Sequence, residues 1–456
     1  MSTIASISTA PGIGGIGIIR MSGEKTFEIL EKIFKPKTYQ KIEDIKGYTI
    51  KYGHIVEDNE IIDEVLVSYF KAPRSYTTEN MCEINSHGGN VIVKRILELC
   101  LKNGADLAEP GEFTKRAFLN GRIDLAQAES VIDVINAKSE KEAKSGIKQL
   151  EGYLSKEIQD IKQEILDVLV NIEVSIDYPE YDTPEVQEKE IYEMITSVRK
   201  SLEKLEKSFD NGKILKEGIK TAIIGKPNAG KSSLLNAILK EDRAIVTDIA
   251  GTTRDTIEEF VTINGIPLNL VDTAGIREAF DEVEKIGVEK SIKQANNADL
   301  IIAIFDSSKD LTDEDIEILK LIENKKAIIL LNKSDLDAKI NENDSRFTNI
   351  SDNIIKISAL NKTGIDLLYE KISDLFNLNE INLDNDVLIT NIRHKNIISK
   401  SLVNVSKAKD ALDKKLPIDI VTIYIKDILE DLGEITGEVV TEDIINEIFS
   451  KFCLGK

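Results

Sequence analysis

Apolar positions change their period several times along the chain. Over residues 1 to about 118 they alternate in strand fashion. Tyr48, Ile50 and Tyr52 recur at period two, as do Ile61, Val65 and Val67, with Glu57-Asp58-Asn59 as the turn between them. A helix is predicted at Asn90 to Cys100, so this part reads as a small α+β domain. From Asp124 to about Gly212 the period becomes helical. Ile147, Leu150, Leu154, Ile158, Ile161, Ile165, Val168 and Ile172 stand three or four apart, which places them on one face of a single long helix. Two prolines break the pattern between Asp177 and Pro184. Ile191, Met194, Ile195, Val198, Leu202 and Leu205 then mark a second helix, predicted to close at Asn211-Gly212. A helical bundle with no chemistry of its own accounts for most of this stretch.

From Lys220 short apolar strands alternate with amphipathic helices, the signature of a parallel α/β sheet. The predicted strands are Thr221–Ile224, Ile257–Ile263, Pro267–Val271, Leu300–Phe305, Ala327–Leu331 and Ile354–Ile357. Asn264-Gly265 between the second and third is a two-residue hairpin signal, so one edge strand should run antiparallel. After about Phe376 the helical period returns through Leu402, Val405, Leu412, Ile425, Ile428, Leu429 and Leu432. The expected architecture is multidomain: an α+β domain over 1–118, and a helical domain over 119–215 and 378–456. An α/β domain over 216–377 is inserted into the helical one.

Composition narrows the picture. Asp and Glu number 80 against 59 Lys and Arg, a net charge of −21, which argues against a general nucleic-acid coat. Any nucleic-acid substrate must be held by local basic patches or with a partner's help. Apolar runs fall well short of the roughly 20 residues a membrane span needs. Met1-Ser2-Thr3-Ile4-Ala5 lacks the pattern of a secretory leader. Cys82, Cys100 and Cys453 form neither a disulfide framework nor a CxxC pair, so a reducing, cytoplasmic setting is expected. Three histidines leave little material for a His-built metal site.

The chemistry concentrates in the inserted domain. Gly225-Lys226-Pro227-Asn228-Ala229-Gly230-Lys231-Ser232 follows a predicted strand and precedes a helix starting near Ser233. This GxxxxGK[ST] loop curls backbone N–H groups around phosphate oxygens. Lys231 reaches the β and γ phosphates, the Ser232 hydroxyl ligates Mg²⁺, and the helix dipole adds positive potential. Asp272-Thr273-Ala274-Gly275 ends a strand, where a carboxylate can hold Mg²⁺ through water and a glycine amide can meet the γ-phosphate. Asn332-Lys333-Ser334-Asp335 ends another, and its Asp335 carboxylate can accept from the two adjacent N–H donors of guanine. Ser358-Ala359 ends a third and would put a backbone amide on the guanine oxygen. Each tetrapeptide alone could be a surface turn. Together, at C-terminal strand ends of one sheet, they specify a guanine-nucleotide domain. Its hydrolytic machinery is unusual: the residue after Gly275 is Ile276, where Ras-type GTPases carry a water-orienting Gln. Gly251-Thr252-Thr253-Arg254-Asp255 reads as a switch segment whose threonine, Thr253, completes the Mg²⁺ shell. The acidic run Asp281-Glu282-Val283-Glu284 reads by itself as a solvated helix.

The termini carry a resemblance that the GTPase motifs alone would not. Pro11-Gly12-Ile13-Gly14-Gly15-Ile16-Gly17-Ile18-Ile19-Arg20, Glu83 with His87-Gly88-Gly89, and Pro110 through Arg122 are three of its segments. Gly251 to Asp255 and the tail Phe452-Cys453-Leu454-Gly455-Lys456 are the others. Together they resemble the MnmE/TrmE family of tRNA-modification GTPases, over essentially the whole chain. The tail departs mildly, with Leu454 where the family usually has Ile. The resemblance implies that the N-terminal domain dimerises and binds 5,10-methylene-tetrahydrofolate or a formyl-tetrahydrofolate analogue. Arg20, Glu83, Arg122 and Lys456 would line that pocket; some relatives carry Lys at the Arg122 position. Without the resemblance, Gly14 to Gly17 could equally be a tight backbone turn. The resemblance also implies K⁺ at Asn228, Thr247, Ile249 and Thr252, and it assigns Glu284 to the attacking water. A monovalent cation bridging phosphate oxygens can do the electrostatic work that an arginine finger does elsewhere.

By the same resemblance, a homodimer would act with an FAD-containing GidA/MnmG protein as a heterotetramer. It would install a carboxymethylaminomethyl group at C5 of the wobble uridine of certain tRNAs. Cys453, brought near Arg20, Glu83 and Arg122 by the tail, is expected to serve that chemistry and not GTP hydrolysis. Two alternatives stand beside this reading. One is a ribosome-assembly-type GTPase switch, which would be expected to carry a basic RNA-binding module at one end. The other treats the N-terminal domain as a structural dimeriser only.

Overall fold

The computed structural model describes residues 1–38, 41, 44–177, 188–239, 259–270, 296–347, 353–378 and 387–456. The chain forms two compact units. The first comprises Met1–Ile135, Lys148–Arg199 and Lys400–Lys456; the second comprises Asn136–Ile147 and Lys200–Ser399.

The first unit begins with β1 (Ile4–Ile7), β2 (Ile16–Ser22), α1 (Thr26–Ile33), β3 (Phe34–Pro36), β4 (Thr49–Glu57), β5 (Glu60–Phe70), β6 (Met81–His87), α2 (Asn90–Lys102) and β7 (Asp106–Leu107). The seven strands form one sheet in the order β3-β4-β5-β6-β2-β1-β7, antiparallel except for the β1–β7 pair. Strand alternation sends Ile19, Met21, Ile55, Val65, Val67, Cys82 and Ile84 to a face where they pack with residues of α1 and α2. The opposite face carries the predicted Tyr48, Ile50 and Tyr52 series, and all three are exposed, as is Leu66. Register aligns Ile50, Ser68, Glu83 and Arg20 in one row across it, and Tyr52, Leu66, Asn85 and Ile18 in the next. Cys82 and Cys100 are buried free thiols; burial pushes Cys100 up to about 12.

The helical part follows as α3 (Glu112–Leu119), α4 (Leu125–Asn136), α5 (Glu140–Leu150), α6 (Tyr153–Asp177) and α7 (Glu188–Glu217). The single long helix expected through Ile147–Ile172 is two. Gly152 at φ 88 ends α5, and the Gln127 side chain donates to the exposed carbonyl of Leu150 at 2.8 Å. Conversely, α7 runs straight through Asn211-Gly212, the expected stop. A Cβ at Gly212 would collide with the Ile389 carbonyl, so glycine serves close packing there, and α7 ends only before Gly218 at φ 72.

In the second unit, β8 (Ile219–Ile224), α8 (Lys231–Leu239), β9 (Glu259–Ile263), β10 (Ile266–Leu270), β11 (Leu300–Asp306), α9 (Asp313–Ile322), β12 (Ala327–Asn332), β13 (Ile354–Lys356) and α10 (Ile365–Leu375) build an α/β sheet. Its order is β13-β12-β11-β8-β10-β9. All pairs are parallel except β10–β9, the predicted hairpin, whose Asn264 and Gly265 take φ 48 and 78 as a type I′ turn requires. Both faces are covered. Leu300, Ile302 and Ile304 enter one core, and Ile301, Ala303 and Phe305 the other.

The chain then returns to helix as α11 (Ile392–Asp413), α12 (Ile418–Thr436) and α13 (Glu442–Ser450). In the first unit α12 packs on α6, with Lys426–Glu173 and Lys162–Glu438 ion pairs between the two segments. None of the described helices is long and apolar enough to cross a membrane.

Candidate functional site

In the second unit, the loops at the C-terminal ends of β8, β12 and β13 are bound to one another. The Lys231 ammonium donates to the carbonyls of Gly225 (2.6 Å) and Lys226 (2.9 Å), and burial holds its pKa below the ordinary lysine value. Asn228 sits at φ 63, in the left-handed region. Asn332 is fully buried and works in both directions. Its Nδ2 donates to the Ala229 carbonyl at 2.8 Å, and its Oδ1 accepts from the Ala359 amide at 3.0 Å. One amide side chain thus ties the phosphate loop, the strand end carrying Asp335 and the Ser358-Ala359 loop together. Of the Ser358-Ala359 amides, one of which was expected to meet the guanine oxygen, that of Ala359 is engaged by Asn332. The Ser358 hydroxyl donates to Asp335 Oδ1 at 2.6 Å, orienting an otherwise exposed carboxylate. Lys333, at φ 64, reaches back to Asp306 Oδ2 at 2.6 Å. The Lys333 and Ser308 hydrogen bonds overcome burial and hold Asp306 below the usual carboxylate range. Ser232 and Ser233 open α8 as expected.

Thr247, Ile249, Thr252, Thr253, Asp272, Thr273, Ala274, Gly275 and Glu284 lie outside the described residues. What is described fits a Mg²⁺-nucleotide: a lysine held against carbonyls, a hydroxyl on the first turn of a helix, and an oriented carboxylate at a neighbouring strand end.

The first unit holds a second constellation. Arg20 on β2 and Glu83 on β6 are register partners. Glu83 Oε1 accepts from Arg20 Nε at 3.0 Å and from Nη2 at 2.8 Å. Both donors land on one oxygen, so Oε2 is left to accept from elsewhere. The pair is only 13% and 21% exposed, shielded enough to be weakly screened. The Arg20 guanidinium lies 5.3 Å from the Tyr76 ring centroid and 5.5 Å from that of Phe113, and Arg122 lies 4.5 Å from Tyr76. Two cations therefore lie against the Tyr76 ring, and its hydroxyl meets Thr114 Oγ1 at 2.9 Å.

The chain's tail closes this cluster. The Gly455 carbonyl accepts from Ser8 Oγ at 3.0 Å and from Arg20 Nη1 at 3.4 Å. The Gly111 amide donates to the Cys453 carbonyl and the Phe113 amide to the Lys456 carbonyl, at 3.3 and 3.2 Å. Phe452 is buried with Phe449 and Ala117. Burial first, and the Arg20 charge second, hold the Lys456 ammonium below its ordinary pKa, while Glu83 partly offsets them. The tail thus brings together Arg20, Glu83 and Lys456, with Arg122 reaching the cluster through Tyr76; Cys453, three residues before Lys456, is exposed. Tyr76 and Phe113 were not singled out in the sequence, where nothing in their spacing marks them. Two cations against aromatic rings, with a carboxylate beside them, suit a flat, polar ligand that carries both N–H donors and acceptors.

Comparison with known proteins matches residues 3–122 to the GTP-binding protein TrmE N-terminus and residues 125–453 to the MnmE helical domain. The tRNA modification GTPase MnmE of Acetivibrio thermocellus is 51% identical over 458 residues, covering 100% of this chain and 99% of its own. That of Clostridioides difficile is 51% identical over 454 residues, with the same coverage. Among solved structures, the G domain of the T. maritima FeoB iron transporter aligns at 24% identity and a TM-score of 0.26, covering 34% of this chain and 98% of that one.

Proposed function

The chain belongs to the MnmE family of tRNA modification GTPases, and from that membership and its two sites we propose that it couples GTP hydrolysis to one-carbon chemistry on tRNA. It is a GTPase serving tRNA modification. The finer reading is that, with an FAD-carrying GidA/MnmG partner, it adds a carboxymethylaminomethyl-type group at C5 of the wobble uridine. Tetrahydrofolate, when bound, supplies the carbon.

This chain's own residues do the rest. Glu83 Oε2 accepts N–H donors of the pterin while Arg20, fixed by Oε1, holds the carboxylate in place. Arg122 and Lys456 supply positive charge to the anionic end of the carrier. Cys453 stands at the exposed edge of the cluster, where a thiol can meet a substrate arriving from solvent. In the other unit Lys231 and Ser232 would hold the β and γ phosphates and Mg²⁺, and Asp335 would select guanine. Ile276 cannot orient water; family membership points to Glu284 for that role, and Asn228, Thr247, Ile249 and Thr252 would hold a K⁺ that balances charge on the phosphates. The exposed apolar sheet face bearing Ile50 and Leu66 supports a homodimer through the N-terminal domain.

The observation that carries the folate reading is the tail docked on Arg20, which closes a cationic cluster around Glu83 within one unit. Cys453→Ser tests the division of labour: GTP turnover should stay near the parent's value while wobble-uridine modification falls sharply. If modification survives, the thiol takes no part in the chemistry.

A further inference from the structure

The phosphate loop has one contact that nucleotide binding does not require. The Lys226 side chain turns away from the loop towards the start of α9. Its ammonium lies 2.5 Å from Asp315 Oδ2 and 2.8 Å from Thr312 Oγ1. Thr312 is the N-cap of α9 and Asp315 its third residue. The same Oδ2 accepts the Thr312 amide at 2.9 Å and the Thr312 hydroxyl at 3.1 Å. One carboxylate oxygen therefore closes a capping box and neutralises a phosphate-loop lysine at once. The Asp315 side chain is 5% exposed and that of Lys226 22%, so the pair is largely hidden from water. An ion pair this shielded from water is weakly screened, and removing either partner strands the other charge.

The backbone of the same residue links this pair to the phosphates. The Lys226 carbonyl is one of the two acceptors that hold the Lys231 ammonium. Where the side chain of residue 226 is anchored, its carbonyl has little freedom to swing. The loop then keeps the curl that presents its amides to phosphate.

We infer that Lys226 and Asp315 form a latch that sets the lifetime of bound nucleotide by fixing the outer turn of the phosphate loop to the N-terminus of α9. They are positioning residues, and the inference rests on the loop being the GTP site proposed above. Opening the latch should act on release more than on recognition, because guanine is read by Asp335 on a different loop.

The test uses the full chain and a fluorescent N-methylanthraniloyl GDP chased with unlabelled GDP. Asp315→Asn removes the charge yet leaves an oxygen to accept the Thr312 amide, so α9 keeps its cap. Lys226→Met keeps the stem and removes the cation; Lys226→Arg restores it. Asp315→Asn and Lys226→Met should each release nucleotide about tenfold faster, which corresponds to about 1.4 kcal/mol. The double variant should be no faster than the faster single one, because both remove one interaction. Lys226→Arg should release near the parental rate, and the preference for GDP over XDP should be unchanged throughout. Release within about twofold of the parent in both single variants, with only the melting temperature lowered, would show the pair to be structural and overturn the latch. Additive effects in the double variant would overturn it as well. A parent that does not bind the labelled GDP would sink the GTP reading itself, and the latch with it.

Discussion

Gly455→Ala is the most informative single change in the tail. Gly455 has φ +85, and an added Cβ would strike the Ile7 carbonyl and come within 2.9 Å of Ser8 Cα. Both obstacles are backbone, so no side-chain rotation relieves them. The left-handed conformation alone costs an L-residue roughly 1–2 kcal/mol. Against this stand the four hydrogen bonds of Cys453, Gly455 and Lys456 described above. At a net value of about 1 kcal/mol for each neutral bond and about 2–3 kcal/mol for the charged Arg20 donor they total roughly 5–6 kcal/mol. Ordering four terminal residues takes roughly 4 kcal/mol of that, at about 1 kcal/mol per residue. The docking margin is then on the order of 1–2 kcal/mol, smaller than strain and collision combined. The substitution should therefore release the tail and leave the sheet and helices folded. Carboxypeptidase should remove Lys456 from the variant at least about tenfold faster, the ratio expected for roughly 1.4 kcal/mol. Affinity for 5-formyl-tetrahydrofolate should drop, while GTP turnover and melting temperature stay near the parent's. A tail that remains protected, with unchanged folate affinity, would refute the view that the docked tail builds the site.

Three other outcomes follow from separate parts of the molecule. Asp335→Asn keeps the shape but turns one acceptor into a donor, so GTP binding should weaken and xanthosine triphosphate binding improve; equal GTP affinity would mean this loop does not read guanine. Hydrolysis should be faster in KCl than in NaCl, and Glu284→Ala should lower kcat with nucleotide affinity nearly intact, as expected for a group acting in the transition state; equal rates in the two salts would remove the cation from the mechanism. Asp63 grips His87 through both its ring Nδ1 (2.7 Å) and its amide (2.8 Å), and the ring hydrogen bond raises the imidazole pKa above the ordinary histidine value. The pair therefore stabilises the fold fully below the unfolded pKa of about 6.5, and this contribution fades as pH rises through the higher folded value. An NMR titration should place the His87 midpoint above that of free histidine, and Asp63→Asn should bring it back.

The strands of the second unit were legible because each is apolar and short, and most of them run straight into a motif. The hairpin was legible because Asn264-Gly265 has few other uses. The helical breaks were misread for one reason: glycine has two jobs that sequence does not separate. At Gly152 it supplies a left-handed turn, and at Gly212 it only makes room for the Ile389 carbonyl. In the sites, residues that touch ligands announce themselves through spacing, whereas those that tie loops together do not. The Asn332 links to Ala229 and Ala359, the Tyr76 bridge between Arg20 and Arg122, and the Lys226–Asp315 pair all join segments far apart in sequence. Only the Thr312-x-x-Asp315 spacing carried a local trace, as a helix-start signature.

Coupling of GTP hydrolysis in one unit to one-carbon chemistry in the other is tested by mass spectrometry of wobble nucleosides from cells with and without this chain, grown on isotopically labelled one-carbon donor. Such coupling predicts a C5-modified wobble uridine that carries the label and disappears when the chain is absent. Identical wobble nucleosides in the two cell lines, or a C5 group that forms without label, would contradict it.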